Sequence, residues 1–210
     1  MNKINTILFD LGGVLIDWNP RYLYRKVWPE DDKKIEYFLE NICNGEWNIK
    51  MDAGKPMDEA IAECQLLHSE DWHEYIDMWR HRWQEMLGDE ITATADLLRA
   101  FHKEQNFRLL ALTNWSAETF PYALKRYHFL RDCFEDIVVS GEIFMAKPDR
   151  DIFEYTINHF KLDPKRTLFI DDSAANVATA KEVGLNAIRY LNPEQLKKDL
   201  TEYGVLPKNS

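Results

Sequence analysis

The sequence predicts an α/β chain in which a parallel sheet, covered by helices, is interrupted just after its first strand by an all-helical insertion. Three observations carry that expectation. Two unbroken apolar runs far apart in the chain, Thr6-Ile7-Leu8-Phe9 and Thr167-Leu168-Phe169-Ile170, each stop at acids, Asp10 in the first case and Asp171-Asp172 in the second. Runs of this kind read as strands buried on both faces. From about residue 91 helical periods alternate with short apolar runs, the pattern of βαβ units, whereas from about 20 to 88 the periodicity is helical with no convincing strand.

Taken in order, the first strand delivers Asp10 to a tight turn made by Gly12 and Gly13. Asn19 then suits a helix N-cap and Pro20 a first helical position. Candidate helices cover about 20–28, 31–42, 56–67 and 70–86. In the third, Met57, Ala60, Ile61, Cys64 and Leu67 make one apolar face; in the fourth, Trp72, Tyr75, Ile76, Trp79, Trp83 and Met86 do the same. An aromatic stripe of that kind packs helix against helix. Between the second and third helices, Asn44-Gly45-Glu46-Trp47-Asn48 and Met51-Asp52-Ala53-Gly54-Lys55-Pro56 read as a pair of polar loops.

Beyond the insertion, Thr94 suits the cap of a helix bearing Leu97, Leu98 and Phe101. A strand from Phe107 to Leu112 ends at Thr113-Asn114, and Ser116 caps the next helix, with Glu118 in its first turn. Ile137-Val138-Val139 is a short strand, and Pro148 opens a helix through Ile152, Phe153 and Ile157. After the second acid-terminated strand come a helix from Ala174 to Val183, stopped by Gly184, a strand from Asn186 to Tyr190, and a last helix from Pro193. The expected organisation is a Rossmann-like core, residues 1–15 and 90–210, split by a helical cap, residues 16–89. Two hinges join them, near Ile16-Asp17 and Gly88-Asp89, and such an insert can close over a crevice and exclude water.

Composition narrows the function. Hydrophobic residues at 45% with 13% aromatics are ample for a packed interior. A net charge of -10 argues against nucleic acid or an anionic membrane as partner, since both demand clustered Lys and Arg. Cys43, Cys64 and Cys133 are odd in number and lack ligand spacing, so neither a disulfide framework nor a zinc site is expected. With no basic-then-apolar leader and no run of eighteen apolar residues, a cytoplasmic protein is expected.

Two strand-end acid groups so far apart can meet only if the sheet sets their strands side by side. Ligands of open α/β sheets bind outside the strands' carboxyl ends, which is where these acids fall. Three carboxylates there would repel one another unless a cation sat between them, and hard oxygen ligands with room for water and phosphate suit Mg2+.

Asp10-Leu11-Gly12-Gly13-Val14, Leu112-Thr113-Asn114, Lys147-Pro148-Asp149 and Asp171-Asp172 fall in the order and spacing of the four motifs of the haloacid dehalogenase superfamily. Across essentially its whole length the chain resembles the branch with a helical cap after the first motif. The resemblance implies that Asp10 is the nucleophile, that the Gly12 carbonyl is a Mg2+ ligand, and that Thr113, with Asn114 beside it, binds the transferring phosphoryl oxygens. It further implies that Lys147 pairs with Asp10 and the phosphate, that Asp172 ligates the metal directly, and that Asp171 acts through water or from behind it. In capped relatives a loop of the cap screens substrates, which makes Glu46, Trp47 and Asn48 candidate specificity contacts, although Asn44-Gly45 reads equally as a simple turn. Arg21 is a candidate anion-binding residue at the cap entrance, or a solvated surface arginine. Asn176 is positioned to steady the Asp171 loop.

One position departs from the common phosphatase pattern: Gly12 stands where an aspartate usually serves as general acid and base. The expected activity is Mg2+-dependent hydrolysis of a small phosphorylated metabolite such as a sugar phosphate. Without the usual acid that requires a good leaving group or another acid from the cap. The alternatives are a metal-independent 2-haloacid dehalogenase, whose halide needs no proton, and a catalytically weak binding or regulatory protein.

Overall fold

The computed structural model describes residues 3–208. β1 (Thr6–Phe9) is buried along its whole length, and β2 (Ile16–Trp18) follows after the glycine turn. The helices α1 (Arg21–Val27), α2 (Asp32–Asn41), α3 (Gly45–Asp52), α4 (Met57–Leu67) and α5 (His73–His81) come next, then β3 (Leu87–Glu90). From there helices and strands alternate: α6 (Thr92–Glu104), β4 (Arg108–Thr113), α7 (Phe120–Arg126), α8 (Phe129–Asp132) and β5 (Asp136–Val139). The chain finishes with α9 (Ser140–Ile143), α10 (Arg150–Phe160), β6 (Thr167–Asp171), α11 (Ala174–Glu182), β7 (Asn186–Arg189) and α12 (Pro193–Glu202).

The main sheet runs β5-β4-β1-β6-β7, every neighbouring pair parallel. β1 takes the middle because its apolar run can be covered on both faces. Ile7 and Phe9 point to one face with Leu109, Ala111, Leu168 and Ile170, against Leu97, Leu98 and Phe101 of α6. Leu8, Leu110, Leu112 and Phe169 point to the other, against Ile152 and Phe153 of α10 and Val177 and Ala180 of α11. Burial of each such large side chain is worth about 1.5–3 kcal/mol. The chain builds β4 and β5 on one side of β1, then returns to build β6 and β7 on the other, so the strand order reverses at β1. Phe9 lies opposite both Ala111 and Ile170, which brings Asp10 out beside Asp171 on one side and Leu112-Thr113 on the other.

The helical insert leaves and rejoins the sheet domain at one place, because β2 and β3 pair antiparallel, Ile16 opposite Glu90 and Trp18 opposite Leu87. Its aromatic stripe faces inward: Trp47 and Trp79 lie 5.1 Å apart, Tyr24 and Phe38 4.6 Å, and Trp28 and Tyr75 4.6 Å. No helix of the described residues is long and apolar enough to cross a membrane.

Several local expectations need correction. The loop expected at 44–48 is the start of α3: Asn44 caps it, its Oδ1 accepting from Trp47 N at 2.9 Å, so Asn44-Gly45 begins a helix. The single helix expected at 70–86 is α5 flanked by 3-10 turns at Glu70–Trp72 and Trp83–Met86, and Leu87–Glu90, where no strand was expected, is one because β2 supplies its partner. Thr94 lies within α6 instead of capping it, and its hydroxyl meets that of Tyr190 at 3.0 Å. Ser116 and Pro148 stand in turns ahead of their helices, which begin at Phe120 and Arg150.

Candidate active site

At the carboxyl end of β1, Asp10 is 7% exposed. Its Oδ1 accepts from Leu11 N at 2.7 Å and from Lys147 Nζ at 2.9 Å. Burial pushes its carboxyl up to about 8, with repulsion from Asp171 and Asp172 adding to the rise and Lys147 opposing it. Lys147 is itself buried. Its Nζ also donates to Asp171 Oδ2 at 2.7 Å and to the Leu112 carbonyl at 2.9 Å.

Asn114 holds the lysine by its main chain. Its Nδ2 donates to the Lys147 carbonyl and its Oδ1 accepts from Lys147 N, both at 2.8 Å. Thr113, at the end of β4 and 1% exposed, has a hydroxyl with no hydrogen-bond partner in the protein, and neither has Trp115 Nε1. Unmatched buried donors at a strand end point to a ligand that completes them.

Asp171 is fully buried and fully engaged. Oδ1 accepts from Ser173 N at 2.8 Å and Asn176 Nδ2 at 3.0 Å, and Oδ2 from Lys147 and again from Asn176. Asp172 is different: it lines the crevice with part of its surface open to solvent, and partial burial of its carboxyl, with repulsion from Asp171 added, raises its pKa. A Cβ on Gly13, where φ is +74°, would lie 2.6 Å from Asp172 Oδ2, so only glycine lets that carboxylate approach the turn. Carboxylate oxygens of Asp10, Asp171 and Asp172 all fall within 4.8 Å of one another. Three carboxylates against one ammonium leave an excess of negative charge, and Asp10 and Asp172 retain free oxygens, a donor set suited to a hard divalent cation.

Above these groups is a cavity of about 230 Å³ lined by Asp10, Gly12, Gly13 and Asp172 below, Asn114 and Trp115 to the side, and Trp18, Asn48, Asp52 and Trp83 of the insert and its borders. Of the residues expected from sequence to contact substrate, Asn48 lines this cavity and Glu46, Trp47 and Arg21 do not. Trp47 is in the core of the insert, its Nε1 donating to the Ala60 carbonyl at 3.0 Å. Glu46 borders a separate hollow with Asn44 and Glu63, and Arg21 is paired with Glu36. Asp52, Trp18, Trp83 and Trp115 were not anticipated. Asp52 was recognisable in principle, since it lies four residues after Asn48 and on the same face once the segment is read as a helix.

Fold and site together define a hydrolase of the doubly wound α/β type that carries a strand-end aspartate paired with a buried lysine. The chain belongs to the haloacid dehalogenase-like hydrolases, whose family profile matches residues 4–184. A sesquiterpene phosphatase of Aspergillus oryzae is 27% identical over 192 residues, 85% of each chain. A D-ribitol-5-phosphate phosphatase of Bacteroides thetaiotaomicron is 21% identical over 213 residues, covering 94% of this chain and 97% of that one. Among solved structures, a HAD family enzyme of Bacteroides thetaiotaomicron in complex with magnesium and inorganic phosphate superposes with a TM-score of 0.67 at 26% identity, covering 90% of this chain and 95% of the other.

Proposed function

We propose that this hydrolase is a magnesium-dependent phosphatase of a small phosphorylated metabolite that works through an aspartyl-phosphate on Asp10. The observation that carries the reading is the pairing of Asp10 with Lys147 beneath an unpartnered Thr113 hydroxyl, with Asp172 free at the rim. Two relatives named as phosphatases, and a solved relative holding magnesium and inorganic phosphate, support it.

Both hydrogen bonds to Asp10 fall on Oδ1, which leaves Oδ2 as the oxygen to attack phosphorus. Lys147 offsets charge at Oδ1 and on the phosphoryl oxygens, and the Thr113 hydroxyl donates to one of those oxygens. Asp10, the Gly12 carbonyl and Asp172 would hold the magnesium ion, which when bound supplies positive charge against the phosphate, while Asn176, Ser173 N and Lys147 keep Asp171 fixed behind them. The helical insert acts as the cap, its Asn48 and Trp83 forming the wall that selects the leaving group.

A panel of phosphorylated metabolites and 2-haloacids, each assayed with magnesium and with EDTA, tests this, with Asp10→Asn as the blank. Magnesium-dependent phosphate release that disappears in Asp10→Asn is expected. Halide release indifferent to EDTA would overturn the reading.

A further inference from the structure

Gly12 offers no side chain to protonate a departing alkoxide, and a Cβ there would meet nothing within 4 Å, so no neighbouring group takes over that space. One other carboxyl lines the same cavity outside the Asp10, Asp171 and Asp172 cluster: Asp52, the last residue of α3. It is held firmly. Asn48 Nδ2 donates to its Oδ2 at 2.8 Å, and its own carbonyl accepts from Ser140 Oγ, which in turn accepts from Trp115 N at 2.8 Å. The joint is close because Gly54, with φ +94°, has no Cβ; one would lie 2.5 Å from the Phe144 ring and 3.0 Å from the Gly141 carbonyl. An acid of the insert is thereby fixed to the sheet domain across the cavity from Asp10.

We infer that Asp52 gives a proton to the leaving-group oxygen and later takes one from the attacking water, which extends the phosphatase reading to phosphate esters of ordinary alcohols. The inference rests on that reading. In the first half-reaction Asp10 Oδ2 bonds to phosphorus, the bond from phosphorus to the ester oxygen breaks, and the departing oxygen takes its electron pair and the Asp52 proton. In the second, water attacks the aspartyl-phosphate, its proton passes to the Asp52 carboxylate, and Asp10 is released with Asp52 protonated again. Burial raises the Asp52 carboxyl to about 7, opposed by the Ser116 main chain and the Asn48 amide, so the proton is available near neutral pH. The titratable groups facing it across the cavity are Asp10 and Asp172; its own contacts, Asn48, Ser116 and Ser140, are uncharged.

The test is rapid-mixing kinetics of the magnesium-loaded protein on 2,4-dinitrophenyl phosphate, phenyl phosphate and a simple alkyl phosphate, wild type against Asp52→Asn and Asp52→Ser. Melting curves check the fold of each variant. The expected result is a loss of about 10² to 10⁴ on the alkyl and phenyl esters. With 2,4-dinitrophenyl phosphate, whose leaving group needs no proton, the burst of phenolate persists and turnover then stalls with phosphate on Asp10. An equal loss on all three esters in folded variants, or no loss on any, overturns the inference and leaves the phosphatase reading standing. A wild type that transfers phosphate to Asp10 from none of them overturns both.

Discussion

Lys147 Nζ stands between two acids from neighbouring strands, 2.9 Å from Asp10 Oδ1 and 2.7 Å from Asp171 Oδ2. Burial pulls the lysine pKa down, but the two carboxylates more than offset it and hold it above the ordinary value. One ammonium thus serves two buried carboxyl groups. Lys147→Met is expected to destabilise the fold by about 3–5 kcal/mol by leaving them unpaired, and to abolish turnover. Urea unfolding measures the first effect, and adding Asp171→Asn recovers part of the stability because one stranded charge goes with it.

Asn114 acts on the chemistry through the lysine backbone. Asn114→Ala removes both bonds that fix Lys147 N and the Lys147 carbonyl, so the ammonium loses its seat between the acids. A displacement of order 1 Å at a reacting group costs about 10²-fold, and kcat should fall by that order. Steady-state kinetics beside a melting curve separates this from unfolding.

The adjacent glycines should respond in opposite ways. Gly13→Ala forces a Cβ against Asp172 Oδ2 at positive φ, and is expected to weaken magnesium binding along with stability. Gly12→Asp enters open space, is expected to leave the melting temperature near that of the wild type, and should restore part of the alkyl-phosphate hydrolysis lost in Asp52→Asn. Magnesium titration and the double variant measure these outcomes.

Asp52 also gives a stability signature. Its carboxyl titrates near 3.8 in an unfolded chain and near 7 in the folded protein, chiefly because burial penalises the charge. Between those values the folded state keeps a proton that the unfolded chain has lost, so this group lowers stability as pH rises from about 4 through 7. Asp52→Asn removes that slope. The melting temperature of the variant should gain on that of the wild type across the window, and Asp10 and Asp172, common to both proteins, drop out of the difference.

The sheet was legible because a strand buried on both faces must be apolar without a break, and β1 and β6 are. Asp10 beside Asp171 followed from those two runs ending in acid. Lys147 was not legible from periodicity: its place depends on a clamp from Asn114, 33 residues away in sequence, and only the resemblance of the motifs pointed to it. The insert hid more. Asn44-Gly45 and Gly54 look like loop punctuation, whereas Asn44 is an N-cap and Gly54 a point of close approach, so α3 was missed and Asp52 with it. Trp47, placed by sequence at the substrate, is turned inward by the Ala60 carbonyl and the Trp79 ring.

Around Gly54 the main chain of the insert lies directly against the Phe144 ring and the Gly141 carbonyl of the sheet domain. At Gly54 itself the insert contributes main chain alone, with no rotamer of its own to adjust. Asp52 lies two residues from it and inherits the stiffness, while Trp18 and Trp83 line the cavity from segments remote in the chain from that joint. Substitutions among those wall residues would therefore remould the chamber for a new leaving group while the proton source keeps its coordinates, which separates what the enzyme selects from how it cuts.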